Sequence, residues 1–308
     1  MSRETTLTVS GLTKKIGKRE IIKGIDFALK SGEVFGCLGP NGAGKTTTIR
    51  MLVGLIKPTS GSIRICGFDI RKQFTEAMRH IGCIVENPEL YPYLSGWGNL
   101  KYFSRMLPDA DDARIMEVVT PVRLEERIHD RVKSYSLGMR QRLGIAQALL
   151  GRPKVLILDE PTNGLDPSGI REMRQIIRFL AENEGLSVLV SSHLLSEIQM
   201  MCDRVAIILN SKVVHTQAVH DLLVQQERIV WRFQPLQEGV QLLKKWTDRV
   251  KVEEETVETP YIENEVENEV AEWSKKLVEA GINLKEMNRK IPSLEDLFLQ
   301  ITEGESGD

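Results

Sequence analysis

The stretch from Val34 to Thr47, VFGCLGPNGAGKTT, constrains this chain more than any other part of its sequence. It begins with an apolar run that predicts a buried strand, and a helix is predicted over residues 47–55. Between them, Gly39 to Thr46 fits the pattern GxxxxGK[ST] at every fixed position. Glycines let successive backbone N–H groups approach a pyrophosphate, and the helix that follows directs its N-terminus at the anion. The stretch therefore predicts a site for nucleotide phosphates.

Each residue type in this loop has a chemical reason to be there. Lys45 is expected to supply a cation to the β- and γ-phosphates, and the Thr46 hydroxyl is expected to ligate Mg²⁺. The remaining phosphate contacts are assigned to Gly39, Pro40, Asn41, Gly42, Ala43, Gly44 and Thr47.

Composition limits the classes of function that the chain can have. Its 308 residues suffice for two domains, and 41% hydrophobic and 27% charged residues are ordinary for a globular protein. The net charge of −2 shows no excess of basic residues, so no nucleic-acid partner is expected. No apolar run approaches the roughly 18 residues that span a bilayer. The cysteines are far apart in sequence and are predicted to be buried, reduced thiols of a cytosolic protein; they are Cys37, Cys66, Cys83 and Cys202.

The order of strands and helices predicts an α/β core. Residues 5–38 alternate like strands and, with residues 61–69, predict an antiparallel layer, and a helix over 70–80 and a strand over 81–85 follow. A mostly helical insertion is predicted at about 87–150. The apolar run from Val155 to Leu158 predicts a central parallel strand. Further along, a helix over 168–183 and strands over 187–190 and 205–209 continue the alternation.

The character of the sequence changes after residue 223, so an accessory α+β domain is predicted over 224–308. Its predicted strand is 229–233, and its predicted helices are 237–246, 273–280 and 292–298. Residues 251–269 hold eight glutamates and are predicted to be a solvated loop, with an acidic docking patch as the alternative. The last residues, 303–308, are expected to fray.

A second chemical signal is Leu158-Asp159-Glu160-Pro161-Thr162. An acidic residue at the tip of a buried strand meets the phosphate loop at the same edge of a parallel sheet. Asp159 is therefore predicted to anchor, directly or through water, the Mg²⁺ held by Thr46. Glu160 is predicted to polarise a water for in-line attack on the γ-phosphate.

The third signal is Tyr135-Ser136-Leu137-Gly138-Met139-Arg140-Gln141-Arg142, ahead of a predicted helix. With it, residues 5–215 resemble the ATP-binding subunit of an ABC transporter, in which an LSGGQ-like signature precedes the acidic strand. Gly164-Leu165-Asp166 resembles the D-loop, with Asp166 at the nucleotide, and His193 resembles the switch histidine. The resemblance implies a P-loop NTPase core of ABC type with an antiparallel β subdomain and a helical subdomain.

The resemblance also implies how such a chain works. Ser136 and the Gly138 N–H would grip the γ-phosphate of ATP held by a second copy of the chain, so that two ATP molecules join a dimer. His193 would contact the γ-phosphate or the attacking water. Because the chain has no span of its own, separate membrane subunits would hold it at the inner, cytoplasmic face of the cell membrane.

Three positions depart from the family pattern. Glu86 stands where a glutamine is usual; it can also ligate Mg²⁺ but adds charge near the phosphates. The signature reads Ser-Leu-Gly-Met, which retains Ser136 and Gly138. Ile16 occupies the position of the aromatic residue that stacks on adenine, which weakens base stacking by about 1 kcal/mol and leaves the choice between ATP and GTP open.

The stretch from Ile84 to Gly96 resembles the subgroup tied to bacitracin resistance and lantibiotic self-immunity. The favoured function is therefore an ATPase subunit of a drug or antimicrobial-peptide exporter, with the aromatic and proline-rich residues 88–98 as docking surface or as subdomain core. The alternatives are a soluble ABC ATPase that acts on ribosomes or DNA, and an importer subunit. A single phosphate loop and the lack of a long coiled coil argue against the soluble class.

Overall fold

The computed structural model describes residues 3–224, 227–261, 266–291 and 293–298. The chain divides into two compact units, Met1–Gln217 and Ala218–Asp308. The sequence predicts the domain boundary slightly later, after residue 223. Within the described residues, no helix has both the length and the apolar character needed to cross a membrane.

The first unit contains two sheets. Its strands are β1 (Thr5–Ile16), β2 (Arg19–Lys30), β3 (Val34–Leu38), β4 (Ser60–Ile65), β5 (Phe68–Asp69), β6 (Ile81–Ile84), β7 (Val155–Asp159), β8 (Ser187–Ser192), β9 (Arg204–Leu209) and β10 (Lys212–Ala218). The smaller sheet has the order β2-β1-β4-β5 and is antiparallel, which confirms the predicted antiparallel layer.

The larger sheet has the order β10-β9-β3-β8-β7-β6, and its strands from β9 to β6 are parallel. Every residue of β3, β7 and β8 is buried, as expected of parallel strands covered on both faces. Parallel strands bring their carboxyl ends to one edge of the sheet. In this register Leu38 pairs with Ser192, and Asp159 pairs with Ser191. The phosphate loop and the acidic motif therefore meet at this edge.

The described residues of the first unit form seven α-helices. They are α1 (Lys45–Leu52), α2 (Phe74–Met78), α3 (Gly96–Ser104), α4 (Asp112–Val119), α5 (Leu137–Leu149), α6 (Pro167–Glu182) and α7 (Leu195–Met201). The predicted helical insertion contains α3, α4 and α5. Four of the helices are preceded by an N-cap residue whose side chain accepts a hydrogen bond from a backbone N–H of the first turn, which fixes where the helix starts. These residues are Ser95, Asp111, Ser136 and Asp166.

The second unit begins with α8 (Val219–Val224) and continues in a β-α-β-β-α-β order. Its other elements are β11 (Arg228–Gln234), α9 (Leu236–Trp246), β12 (Lys251–Glu253), β13 (Thr256–Pro260), α10 (Val266–Glu279) and β14 (Asn283–Lys290). The sheet order β12-β13-β11-β14 and its antiparallel pairing give the split β-α-β arrangement of ferredoxin-like folds. Trp231 and Phe233 anchor the core of this unit. A turn of helix over 294–298 follows β14.

Three sequence predictions are wrong in part. The helix predicted over 70–80 is limited to α2, because the Asp69 carboxylate and carbonyl accept N–H groups from Arg71 and Lys72 and hold a turn there. The loop predicted over 251–269 contains β12, β13 and the start of α10, since Val257 and Thr259 are buried between the glutamates. Cys83 is exposed on the edge strand β6 rather than buried. Residues 303–308 lie outside the described residues.

Candidate active site

The phosphate loop connects β3 to α1 and needs glycine at two crowded positions. A Cβ on Gly39 would lie 2.5 Å from the carbonyl oxygen of Ile208, and a Cβ on Gly44 would lie 2.3 Å from Cδ1 of Ile22. Gly44 also has φ +106°, a conformation that side chains rarely adopt. These contacts hold the loop between β9 and β2, with α1 beginning directly after it.

Lys45 is the first residue of α1, and its side chain folds back over the loop. The residue is 6% exposed, and its Nζ donates to the carbonyl oxygens of Gly39 at 2.6 Å and Pro40 at 3.3 Å. The same ammonium lies 3.8 Å from Oε1 of Glu160. The loop therefore holds a nearly buried cation next to the acidic motif.

Asp159 is the last residue of β7 and is 3% exposed. Its Oδ1 accepts a hydrogen bond of 2.5 Å from the Ser191 hydroxyl on the neighbouring strand β8. The Ser191 hydroxyl also accepts the backbone N–H of Glu160 at 3.0 Å. One serine therefore orients both acidic residues at the edge of the sheet.

Glu160 follows β7 in a left-handed backbone conformation, with φ +49°. Its Oε2 lies 2.7 Å from Nδ1 of His193, while its Oε1 faces Lys45. The carboxylate is thus held between a cation and an imidazole that follows β8. A carboxylate in this position can accept a proton from a water molecule.

Glu86 follows β6 and also has a left-handed conformation, with φ +67°. Its carboxylate forms an ion pair with Arg50 on α1, and both side chains are substantially exposed. Arg50 lies four residues after Thr46, so Glu86 lies one helical turn from the predicted metal ligand.

Ser136 is the N-cap of α5 and accepts the backbone N–H of Met139 at 3.2 Å, so the signature begins a helix as predicted. The start of this helix lies beside the segment that resembles a D-loop, because a Cβ on Gly164 would lie 3.1 Å from Cδ2 of Leu137. Asp166 caps α6 by accepting the N–H of Gly169 at 3.0 Å. Ile16 ends β1 with 59% of its surface exposed.

The residues present fit a nucleoside triphosphate with a hard divalent cation. Gly39 and Gly44 let the backbone of the loop pass close to β9 and β2, and α1 begins directly after the loop, so that the N–H groups of its first turn can meet a phosphate. The Thr46 hydroxyl and Asp159 are two oxygen donors, which suits Mg²⁺ because this ion is usually bound by one or two protein groups together with phosphates and water. Among the residues that the structure describes, no group of three or more histidine, cysteine or carboxylate side chains is arranged to hold a metal ion by itself.

Two contributors to the site are not predicted by any motif in the sequence. Ser191 carries no signature of its own, and only the register of β7 against β8 reveals its bonds to the acidic motif. The pairing of Arg50 with Glu86 joins residues far apart in sequence. A basic residue one helical turn after Thr46 was the one available signal for it.

Comparison with known proteins agrees with this geometry. The family model described as ABC transporter matches residues 22–163. The uncharacterized ABC transporter ATP-binding protein YhcH of Bacillus subtilis is 47% identical over 97% of this chain and 96% of its own length. The bacitracin transport ATP-binding protein BcrA of Bacillus licheniformis is 39% identical over 97% of this chain and 98% of its own length.

A solved structure supports the fold of the first unit. CbiO1 from Clostridium perfringens, part of the ABC transporter complex CbiONQ, matches with a TM-score of 0.66 and 26% identity. The match covers 72% of this chain and 92% of CbiO1. The predicted P-loop NTPase core is thereby confirmed, and the bacitracin relative supports the predicted subgroup. By its similarity along nearly its whole length to these relatives, the chain belongs to the ATP-binding proteins of ABC transporters and is an ATP-binding ATPase.

Proposed function

We propose that this chain is the ATP-hydrolysing subunit of an ABC exporter that moves an antimicrobial peptide, drug or similar amphipathic compound through separate membrane subunits. The observation that carries the ATPase part is the meeting of Lys45, Asp159, Glu160 and His193 at one edge of the sheet. The 39% identity to a bacitracin transport protein supports the substrate class.

In the proposed reaction Glu160 is the general base. It takes a proton from a water molecule as the water oxygen bonds to the γ-phosphorus, and the bond to the leaving ADP oxygen breaks with its electron pair. His193 holds the Glu160 carboxylate in place from 2.7 Å and contacts the γ-phosphate or the water. Lys45 leaves the loop carbonyls and neutralises the β- and γ-phosphates.

Thr46 and Asp159 would hold Mg²⁺, with Glu86 as a further ligand on release from Arg50. When bound, the ion supplies positive charge that stabilises the phosphate oxygens. Ser191 serves this role indirectly, because its hydroxyl fixes the rotamer of Asp159. The loop residues 39–44 and Thr47 supply the remaining phosphate contacts.

The complete site is proposed to form between two copies of the chain. Ser136 and Gly138 lie at the start of the 13-residue helix α5, where unpaired N–H groups attract an anion. In a dimer they would meet the γ-phosphate bound by the partner, and Asp166 would lie beside it. Ile16 would face the base, whose identity as adenine or guanine stays open.

An aromatic patch in the helical part is the proposed docking surface for the membrane subunits, which would place the chain at the cytoplasmic face of the membrane. The rings of Tyr93, Tyr102 and Phe103 surround Tyr91 at centroid distances of 5.8, 5.1 and 6.2 Å. Tyr93 is 66% exposed. The buried Asn99 fixes the loop by bonding the N–H and carbonyl of Tyr91. A rigid, exposed aromatic patch suits a protein interface.

Co-purification tests the transporter role. The tagged chain, carrying Glu160→Gln to slow hydrolysis, is extracted from the membranes of its own organism with mild detergent and ATP. A multi-span membrane protein should co-purify, and a Tyr93→Ser variant should retain much less of it. Co-purification of ribosomes, or of no membrane protein, would contradict the proposal.

A further inference from the structure

A cavity of about 860 Å³ lies in the first unit, far from the residues described above. Its walls come from α4, the end of α5 and α6, together with Pro153 and Lys154 just before β7. Asp159 lies at the other end of β7, five residues after Lys154 and about 16 Å away at 3.3 Å per residue. The cavity therefore opens at the opposite edge of the sheet from the nucleotide site.

Part of the cavity lining is apolar. Val118 of α4 and Ile176 and Leu180 of α6 are buried in its wall, while Phe179 is 41% exposed. The volume lies within the range of about 300–1,000 Å³ that is usual for small-molecule sites. A ligand with an apolar body would cover the exposed ring and these side chains.

The charged residues of the lining carry excess positive charge. The lining has four basic residues and two acidic ones: Arg114, Arg123, Arg152 and Lys154 against Glu117 and Glu184. The Glu117 carboxylate is shared, because Arg114 Nη1 at 2.9 Å and Arg152 Nη2 at 3.0 Å both approach it. Arg123 donates to the neutral amide of Gln175 at 2.9 Å. An anionic group would balance this charge.

The backbone at two of these arginines is strained. Arg123 has φ +56° and Arg152 has φ +51°, in the left-handed region where glycine or asparagine is the usual residue. Folding stability alone would favour glycine at both positions. Two arginines in this conformation, both lining one cavity, indicate that their side chains are needed there, since backbone strain of this kind clusters at functional sites.

From the cavity, its charge and this strain we infer that the pocket between α4 and α6 binds a small amphipathic anion, a phosphate or carboxylate carried on an apolar chain. The anionic group lies between Arg123 and Arg152, and the apolar chain lies along Phe179 and Ile176. This site is separate from the nucleotide site and does not depend on the identity of the transported compound.

Calorimetric titration of the full-length chain with octyl phosphate tests the inference. The protein is first saturated with ADP, so that the nucleotide site is filled and binding reports on a second site. We expect one molecule of octyl phosphate per chain, with inorganic phosphate and octanol each binding at least 10-fold more weakly. Octanoate in a parallel titration distinguishes a carboxylate ligand from a phosphate ligand.

Substitutions at the strained arginines sharpen the test. The double variant Arg123→Gly/Arg152→Gly should lose octyl phosphate binding at least 10-fold without a lower Tm, because glycine relieves the backbone. Arg152→Gly alone replaces a side chain that is 60% exposed, so this variant should fold normally and lose part of its affinity for octyl phosphate. Arg123→Lys/Arg152→Lys should bind within a few-fold of wild type, and Arg64→Ala, on an exposed arginine of β4, should bind unchanged.

Three results would overturn the inference. The first is the absence of octyl phosphate binding to the ADP-saturated protein, and the second is equal binding of octanol. The third is undiminished binding by the folded glycine variants, which would place the bound anion elsewhere on the chain.

Discussion

Nδ1 of His193 lies 2.7 Å from Oε2 of Glu160. His193 directly follows β8 and Glu160 directly follows β7, so this contact joins the ends of two neighbouring strands. The other carboxylate oxygen faces the Lys45 ammonium at 3.8 Å. The Glu160 carboxylate is therefore contacted on both sides, by an imidazole and by a cation. A general base needs this placement, because proton transfer requires hydrogen-bond distance to the attacking water.

Replacing this carboxylate should separate binding from hydrolysis. Glu160→Gln retains the shape of the side chain but cannot accept the proton, so turnover should fall by about 10²-fold or more. ATP should still bind, and a dimer loaded with ATP should accumulate in size-exclusion chromatography. Near-normal hydrolysis would refute the assigned base, and a loaded variant that stays monomeric at high concentration would contradict the shared site.

Lys45→Ala should weaken ATP binding by about 10-fold or more, since a charge-assisted bond to phosphate contributes about 1.5–3 kcal/mol. The variant also removes the hydrogen bonds that Lys45 Nζ donates to the Gly39 and Pro40 carbonyls of the loop. Titration with a fluorescent ATP analogue measures the affinity, with the exposed Lys72→Ala as control. Unchanged affinity in Lys45→Ala would contradict the phosphate role.

Ser191→Ala should lower turnover about 10-fold while leaving ATP affinity within a few-fold of wild type. The variant frees the Asp159 carboxylate and the Glu160 N–H from their shared hydroxyl, so both acidic residues lose their orientation. Steady-state ATPase assays give this result directly.

Ser187→Ala is the matched control for that variant. Ser187 is also buried in β8, but its hydroxyl bonds Thr6 and the Lys30 carbonyl at the other end of the strand. Both variants should lose about 1–2 kcal/mol of unfolding free energy. Equal turnover in the two would show that Ser191 acts only through stability.

The role of Ser191 marks the limit of what the sequence predicted. The strands of the core were recognisable because each is a continuous apolar run, and the phosphate loop and acidic motif because their residue types have few other uses. The pairing of Asp159 with Ser191 depends on strand register, which no local pattern encodes. In the second unit, β13 lies among glutamates that predict a loop, and its Glu258 is buried because it pairs with Lys290 of β14, a contact that no local pattern encodes.

Buried thiols should make the first unit sensitive to alkaline pH. Burial raises the pKa of Cys37 from 9.0 to about 12, against a smaller opposing effect of Lys45. Above pH 9 the unfolded thiol loses its proton while the folded one keeps it, so the unfolded state binds fewer protons and stability falls as pH rises. The slope is about 1.4 kcal/mol per pH unit for this thiol until the folded group titrates.

Urea unfolding followed by circular dichroism between pH 8 and 11 measures that slope. Cys37→Ala should flatten it by about the contribution of one thiol, while the exposed Cys83→Ala should change it much less. Equal slopes in wild type and Cys37→Ala would show that Cys37 is not protected from titration.

Glu86→Gln should keep basal ATPase activity within a few-fold of wild type but change its dependence on Mg²⁺. The carboxylate is 59% exposed and pairs with Arg50, and such exposed ion pairs contribute about 0–1 kcal/mol, so its loss leaves the fold intact. If Glu86 leaves Arg50 to ligate the ion, the amide variant should need several-fold more Mg²⁺ for half-maximal ATP binding, because an amide oxygen carries no charge.

Arg50→Ala should shift the Mg²⁺ requirement in the opposite direction, since it releases the carboxylate. An inactive Glu86→Gln enzyme would show that the carboxylate takes part in catalysis itself, and identical Mg²⁺ titrations in all three proteins would exclude it from the metal site.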